Sequence, residues 1–383
     1  MAVGESLLQP AAKPAQGPGE LGKPITSAAA WTASGAAAEQ SKWVLELSPQ
    51  QVDEILEATK HAASTGKPVQ EVTRDDFPLP TLAPTLEAIR QSVLFGRGFQ
   101  LIRGFPVDRL SRQEVILAYW GISLYWGHAA LRQNAKGHVL SSVFLLSHRD
   151  EATSPSQVGH VKNITGSNNT FGVRVYLTSA AQPWHVDASD IVSLLSLKAA
   201  RSGGRSGWAS GASIYNRVLA ERPDLLEELT KPVPYTRYGE INKGEKPYYE
   251  QPVINFYQGH FQIAVNDLVA GQSQQLPGIP RISDKQIEAI KYVAELANDP
   301  ELHLEWDLQP GDIQLLNNWT NLHNRTEIDD HEDINERRHL LRIWRVSDDG
   351  QPLDPAYHNT TNPIGRRGIV LEGQQDTVPL EAE

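Results

Sequence analysis

From Trp184 onward this chain is cut into short β-prone runs, at Ile191–Leu197, Ser206–Ser210, Pro252–Tyr257, Phe261–Asn266, Asp312–Asn317 and His339–Val346, with turn residues or short helices between them. Strands this short bury their apolar faces only by pairing and by packing on a second layer. The part before Trp184 reads differently. Ser48-Pro49-Gln50-Gln51 sets a serine cap, a proline in the first turn and a glutamine three residues after the cap, which starts a helix. Val52, Ile55, Leu56 and Thr59 then share a face, and Gly66 ends the run. Further helices are predicted over Leu82–Phe95, from Ser111 towards Tyr125, and from Ser283 with Ile287, Ile290, Val293 and Ala294 on the apolar side. Phe99 to Ile102 reads as a strand closing at Gly104. The pattern predicts an α+β, mainly β fold: an antiparallel double-sheet roll with helices packed outside.

The 383 residues suit one large domain, and the 40% hydrophobic content excludes a wholly disordered chain. Residues 1–40, rich in Ala, Pro and Gly, are expected to be a flexible tail or a strap on the surface. Residues 41–350 then form the single domain, and 351–383 a C-terminal extension. No run approaches the ~20 apolar residues of a membrane span, and there is no basic start followed by an apolar core, so a soluble cytoplasmic protein is expected. The formal charge of -11 argues against nucleic acid as a partner while leaving room for a small anion held by a few arginines. Nothing in the sequence opposes a homo-oligomer. The chain has no cysteine, which excludes disulfides, zinc-thiolate sites, iron–sulfur clusters and cysteine nucleophiles at once. Any metal must be held by His, Asp, Glu or backbone oxygen.

Pro183-Trp184-His185-Val186-Asp187 offers such a site. In an extended chain residues two apart face the same way, so His185 and Asp187 can reach one ion. A second imidazole would complete the two-histidine, one-carboxylate face of non-haem iron oxygenases, which leaves positions open for a co-substrate and oxygen. The pair alone is weak evidence; a histidine hydrogen-bonded to a carboxylate in a loop has the same sequence. Downstream, Asp312 to Asn318 follows Gly311 and leads to His323, and then to Arg337-Arg338-His339-Leu340-Leu341-Arg342-Ile343-Trp344. In a strand Arg338, Leu340, Arg342 and Trp344 share a face, and buried arginines there call for anions. The competing reading turns that face to solvent and sends Leu341 and Ile343 to the core.

These pieces carry a resemblance. "PWHVDASDIVSLLSLKAARSGGRSGWASGASIYN" (183–216), "PGDIQLLNNWTNLHNRTE" (310–327) and "RRHLLRIWR" (337–345) resemble, in order and spacing, the TauD/TfdA (taurine catabolism dioxygenase-like) family of Fe(II)/2-oxoglutarate-dependent oxygenases, over about Gly96 to Arg345. The resemblance implies a double-stranded β-helix core, jelly-roll and cupin-like, with flanking helices, and a catalytic role for the 41–350 domain. It implies His185, Asp187 and His323 as iron ligands and catalytic residues, and Arg338 as the grip on the distal carboxylate of 2-oxoglutarate, a task suited to a planar fork of donors. Ser206 stands where the family often has a threonine touching the same co-substrate. Arg342 matches a position that in some members binds the acidic group of the prime substrate. The implied reaction consumes O2 and 2-oxoglutarate, releases succinate and CO2, and oxidises a C–H bond of a small anionic substrate (an amino acid, carboxylate or sulfonate) by hydroxylation, desaturation or cyclisation.

Two other classes stay open on the sequence: a non-catalytic small-molecule-binding double-stranded β-helix protein, and a zinc hydrolase with the same ligands. His331, in the acidic stretch Asp329–Asp333, has no partner spacing. His160 and the Gly159–Ala181 stretch, which precedes the metal motif, are candidates for a lid or an ordinary surface loop. Trp184, Trp208 and Trp344 are candidates for the apolar side of the pocket.

Overall fold

The computed structural model describes residues 19–133, 160–162, 178–187, 189–237, 239–355, 368–369, 371–373, 375–376 and 378. Its main helices are α1 (Pro49–Ser64), α2 (Ala83–Phe95), α3 (Arg112–Ser123), α4 (Gly211–Glu221), α5 (Pro223–Leu229) and α6 (Asp284–Ala297). α1, α3 and α6 each open on a complete capping box, with Ser48, Ser111 and Ser283 paired reciprocally to Gln51, Glu114 and Gln286. Each box satisfies N–H groups that a helix start otherwise leaves open. The buried stripes are shifted slightly from expectation. On α1 the centre is Ile55, Ala58, Thr59 and Ala62, and on α6 Ile287 is 37% exposed while Ala289, Ile290, Val293 and Leu296 are covered.

The principal strands are β1 (Val44–Glu46), β2 (Phe99–Arg103), β3 (Gln182–His185), β4 (Ile191–Lys198), β5 (Ser206–Ser210), β6 (His303–Trp306), β7 (Ile313–Asn317), β8 (Asn321–Arg325) and β9 (His339–Val346). One sheet runs β1-β2-β7-β4-β9 and is extended by Ala129–Ala130 and His160–Lys162, both against β9. Only its β1–β2 pair is parallel. The other runs β6-β5-β8-β3 and is antiparallel throughout.

Three apolar clusters fix how these layers stack. One packs α1, α2 and α3 on the first sheet through Ile191, Leu195, Ile313, Leu315, Leu341 and Ile343. Another packs α4, α5 and α6 on the second sheet through Ala209 and Leu322. The third draws on both sheets, with Phe99, Leu101, Val192, Leu194, Leu316, Leu340 and Trp344 from the first and Trp208 from the second. The sheets therefore face each other, with helices outside both. Burying each large apolar side chain is worth ~1.5–3 kcal/mol, so the division of apolar residues between the two faces of β4, β7 and β9 fixes their register.

β9 decides the orientation that the sequence left open. Leu341 and Ile343 lie under the helices and Leu340 and Trp344 between the sheets, so neither face meets solvent. Arg338 and Arg342 are only 5% and 6% exposed. Four strands, β1, β3, β6 and β8, and the pair Val233–Thr236 with Tyr248–Gln251 were not evident from the sequence, because each is a run of only three to five residues without a dominant apolar pattern. The two expected strands at 252–257 and 261–266 are shorter, Ile254–Tyr257 and His260–Ile263.

Part of the Ala/Pro/Gly-rich start is built into the fold. Trp31 is 7% exposed, belongs to the cluster between the sheets and donates from Nε1 to Asn321 Oδ1 at 3.0 Å; Ala33–Ala38 is helical. Among the described residues no helix is long and apolar enough to cross a membrane.

Candidate metal centre

β3 and β8 are neighbours, and their register sets His185 opposite His323, with ring centroids 4.1 Å apart. Asp187 follows the end of β3. Its Oδ1 lies 4.0 Å from His185 Nε2 and its Oδ2 3.7 Å from His323 Nε2. One ligand atom from each of the three residues falls within 4.8 Å of the others, the only such group among the described residues. All three side chains are buried.

A polar network joins the two distant segments. Asn318 Oδ1 accepts from the backbone N–H of Asp187 at 3.2 Å, while its Nδ2 donates to the carbonyl and hydroxyl of Ser189. Asp190 accepts from Trp319 Nε1 at 2.8 Å and from the backbone of Ser347 at 3.0 Å. Asn321 Nδ2 donates to the Gly98 carbonyl. These buried groups are satisfied by one another, which ties the His-x-Asp turn to β8 and to the end of β9.

The electrostatics suit a metal. His185 Nδ1 lies 2.9 Å from the Pro183 carbonyl, which places the proton on Nδ1 and leaves the Nε2 lone pair towards Asp187. Burial, with the neighbouring His323 adding to it, pushes the His185 imidazole down to about 3, so it is neutral and able to coordinate. Gln182 Nε2 sits 2.9 Å from the same His185 nitrogen and must swing aside for an ion to bind there. Burial would push Asp187 up, but Arg342 and the two imidazoles hold it well below the usual carboxylate range. Its Oδ2 accepts from Arg342 Nη1 at 2.9 Å and from Trp344 Nε1 at 2.8 Å. Two imidazoles and one ionised carboxylate, with no sulfur, form the donor set of non-haem Fe(II).

Arg338 and Ser206 lie further along the same interior. Arg338 passes over Gly204, where an added Cβ would stand 2.8 Å from its Cδ and 2.9 Å from its Nε; Gly204 has φ +67° and so has two reasons to be glycine. Arg338 Nη1 is buried with no hydrogen-bond partner among the described residues, and burial pushes its guanidinium down to about 10. Asp330, in the acidic stretch, turns in and takes the Arg338 backbone N–H at 2.8 Å rather than its side chain. Ser206, 3% exposed on β5, pairs in register with Arg325.

Arg325, Gln133 and Asn318 escaped the sequence reading. Arg325 is 4% exposed and stands two residues after His323 on the same face of β8; the sole signal was that spacing. Gln133 holds Arg342 by two bonds, accepting from Nε at 2.8 Å and donating to its carbonyl at 3.1 Å. Of the three tryptophans, Trp344 touches the site and Trp208 lies between the sheets. Trp184 points the other way, into the outer cluster, where it donates to Asn298. His331 joins no ligand group. The backbone of His160 pairs with Leu341; its side chain, and the Gly159–Ala181 stretch apart from 160–162 and 178–181, lie outside the described residues.

Comparison with known proteins agrees. The family model "Taurine catabolism dioxygenase TauD, TfdA family" matches residues 61–344. The chain is 29% identical over 337 residues to the FR-33289 synthase of Streptomyces rubellomurinus, covering 86% of this chain and 93% of that protein. It is 31% identical over 326 residues to the taurine hydroxylase-like protein SAT17 of Stachybotrys chartarum, covering 84% and 79%. Among solved structures it resembles asparagine oxygenase bound to Fe(II), 2S,3S-3-hydroxyasparagine and succinate, with TM-score 0.56, 16% identity, and 79% and 93% of the chains covered. It also resembles the non-haem iron oxygenase OrfP bound to Fe and alpha-ketoglutaric acid, with TM-score 0.56, 16% identity, and 85% and 99% covered. The chain belongs to the TauD/TfdA family of Fe(II)- and 2-oxoglutarate-dependent oxygenases.

Proposed function

We propose that this dioxygenase hydroxylates a C–H bond of a small anionic substrate, most simply an amino acid, at an iron held by His185, Asp187 and His323. The supporting observation is the buried triad beside buried arginines: a metal face and an excess of positive charge share one interior. Two structural neighbours are described with hydroxylated asparagine and arginine, which supports the amino-acid class. The two facing sheets, with helices outside both, support the double-stranded β-helix reading. Residues 41–350 would be the cytoplasmic catalytic unit, with Trp31 and its neighbours packed against it.

Iron and 2-oxoglutarate supply the oxidant when bound, with release of succinate and CO2. His185 would offer its Nε2 lone pair, its Nδ1 being turned to the Pro183 carbonyl, and the facing imidazole of His323 would supply the second nitrogen. Asp187 stays ionised because Arg342 and Trp344 hold Oδ2, which leaves Oδ1 for the ion. Arg338 takes the distal carboxylate of 2-oxoglutarate, with the Ser206 hydroxyl beside it. Arg342, already engaged by Asp187 and Gln133, meets the substrate's acidic group by adding to that network. Phe99, Trp208, Leu340 and Trp344 keep the space between the sheets dry, which strengthens each of these contacts.

The test is anaerobic addition of Fe(II) and 2-oxoglutarate, followed by a screen of amino acids and sulfonates for succinate release in air. A visible charge-transfer band and substrate-stimulated succinate are expected. Asp187→Ala should abolish both, and full activity in that variant would remove Asp187 from the ligand set. Succinate formation also separates this reading from a zinc hydrolase or a binding protein.

A further inference from the structure

We propose that Arg325 is a second guanidinium for the distal carboxylate of 2-oxoglutarate, acting with Arg338. The inference rests on the reading of Arg338 above and extends it. Arg325 is 4% exposed and takes no hydrogen bond to a carboxylate among the described residues; the charge of Asp330 favours it and Arg338 alike without a direct bond to either side chain. Its Nη2 donates to the carbonyls of Thr178, at 3.0 Å, and Ala180. Its Nε and Nη1 are buried with no partner among the described residues, as is Arg338 Nη1. An arginine with one nitrogen tethered and two buried donors unused costs free energy unless an acceptor arrives.

The two side chains belong to one place. Arg325 pairs in register with Ser206, and Arg338 passes over Gly204, two residues earlier on the same stretch. The two guanidiniums repel each other and have one carboxylate, Asp330, near both, so the interior carries one positive charge in excess; a ligand carboxylate with two oxygens can accept from both forks. Arg325 also stands two residues from His323 on one face of β8, which puts the metal ligand and the anion grip on a single rigid strand. The tether at Thr178 and Ala180 lies just before β3, the strand that carries His185. Arg325 thus links co-substrate binding to both histidine strands.

The full-length, Fe(II)-loaded protein is titrated anaerobically with 2-oxoglutarate and with 2-oxopentanoate, which has the same chelating end and no distal carboxylate. Affinity is read from the charge-transfer absorption and from calorimetry. Arg325→Gln should weaken 2-oxoglutarate by about ten- to hundredfold, the scale of a lost charged hydrogen bond, and leave 2-oxopentanoate unchanged. Equal weakening of both ligands, or of neither, overturns the proposal. Arg325→Lys keeps the charge on a less forked side chain and serves if the glutamine variant does not fold. It should show a smaller loss confined to 2-oxoglutarate, and a loss shared by both ligands again overturns it. Arg338→Gln is the separate control. If it fails to discriminate the two ligands, the Arg338 assignment is wrong, whatever Arg325 does.

Discussion

Arg338, just before β9, and Arg345, near its far end, are both buried, yet they are different objects. Arg345, 1% exposed on the helix-facing side, donates from Nε and Nη2 to the Ser123 hydroxyl at 3.1 and 2.6 Å and lies 4.3 Å over the ring of Trp120. It also reaches the Trp120 carbonyl at 3.4 Å. Arg338, on the side between the sheets, keeps a buried Nη1 with no partner among the described residues. Burial depresses both guanidiniums, Arg345 to about 9 and Arg338 to about 10. Burial alone therefore does not mark a ligand site; unused donors do. The first arginine is fixed by the fold and the second is kept for a guest.

Opposite signs of stability change would break or secure that contrast. Arg345→Met should destabilise by about 2–4 kcal/mol, since it strips hydrogen bonds and stacking from α3. Arg338→Met should be neutral or stabilising without ligand, because a methionine replaces a poorly satisfied charge. Denaturant midpoints of the two variants, with and without 2-oxoglutarate, measure this. The contrast fails if both variants lose stability alike in the absence of ligand.

A smaller effect is expected at Gly204. Alanine there takes a strained φ of +67° and pushes on Arg338 from 2.8 Å. Gly204→Ala should cost about 1–2 kcal/mol and weaken 2-oxoglutarate about tenfold; calorimetry reads both, and an unchanged affinity would mean that Arg338 gives way freely. The least effect belongs to a charge that is fully partnered. Lys67 Nζ and the hydroxyl and backbone of Thr73 hold Asp76, and lower its carboxyl to about 2. Its folded value lies below its unfolded one, so its contribution is present above about pH 4 and is lost as pH falls towards 2. Asp76→Asn should flatten that part of the stability curve, as followed by thermal midpoints from pH 6 to 2.

Legibility followed the kind of signal. The capping boxes at Ser48, Ser111 and Ser283 were readable because a helix start is chemistry within four residues. β4, β7 and β9 were readable because apolar residues dominate them. β8 was not, since Asn321, His323, Asn324 and Arg325 break any alternation, and its pairing comes from β3 and β5. His185 and Asp187 were visible as a pair and His323 as a family position. Arg325 was missed because a polar residue's burial is settled by what covers it.

The sequence by itself determined which groups were on hand: no cysteine, a His-x-Asp turn, a distant histidine and a basic strand. Those are properties of composition and near-neighbour spacing. The tertiary structure alone decided that β9 is covered on both faces, that Asn318 and Asp190 bind the two motif segments together, and that Arg325 and Arg338 keep unused donors while Arg345 does not. Each of those depends on contacts between residues far apart in the chain, and a buried charge acquires its meaning only from the partners it finds there.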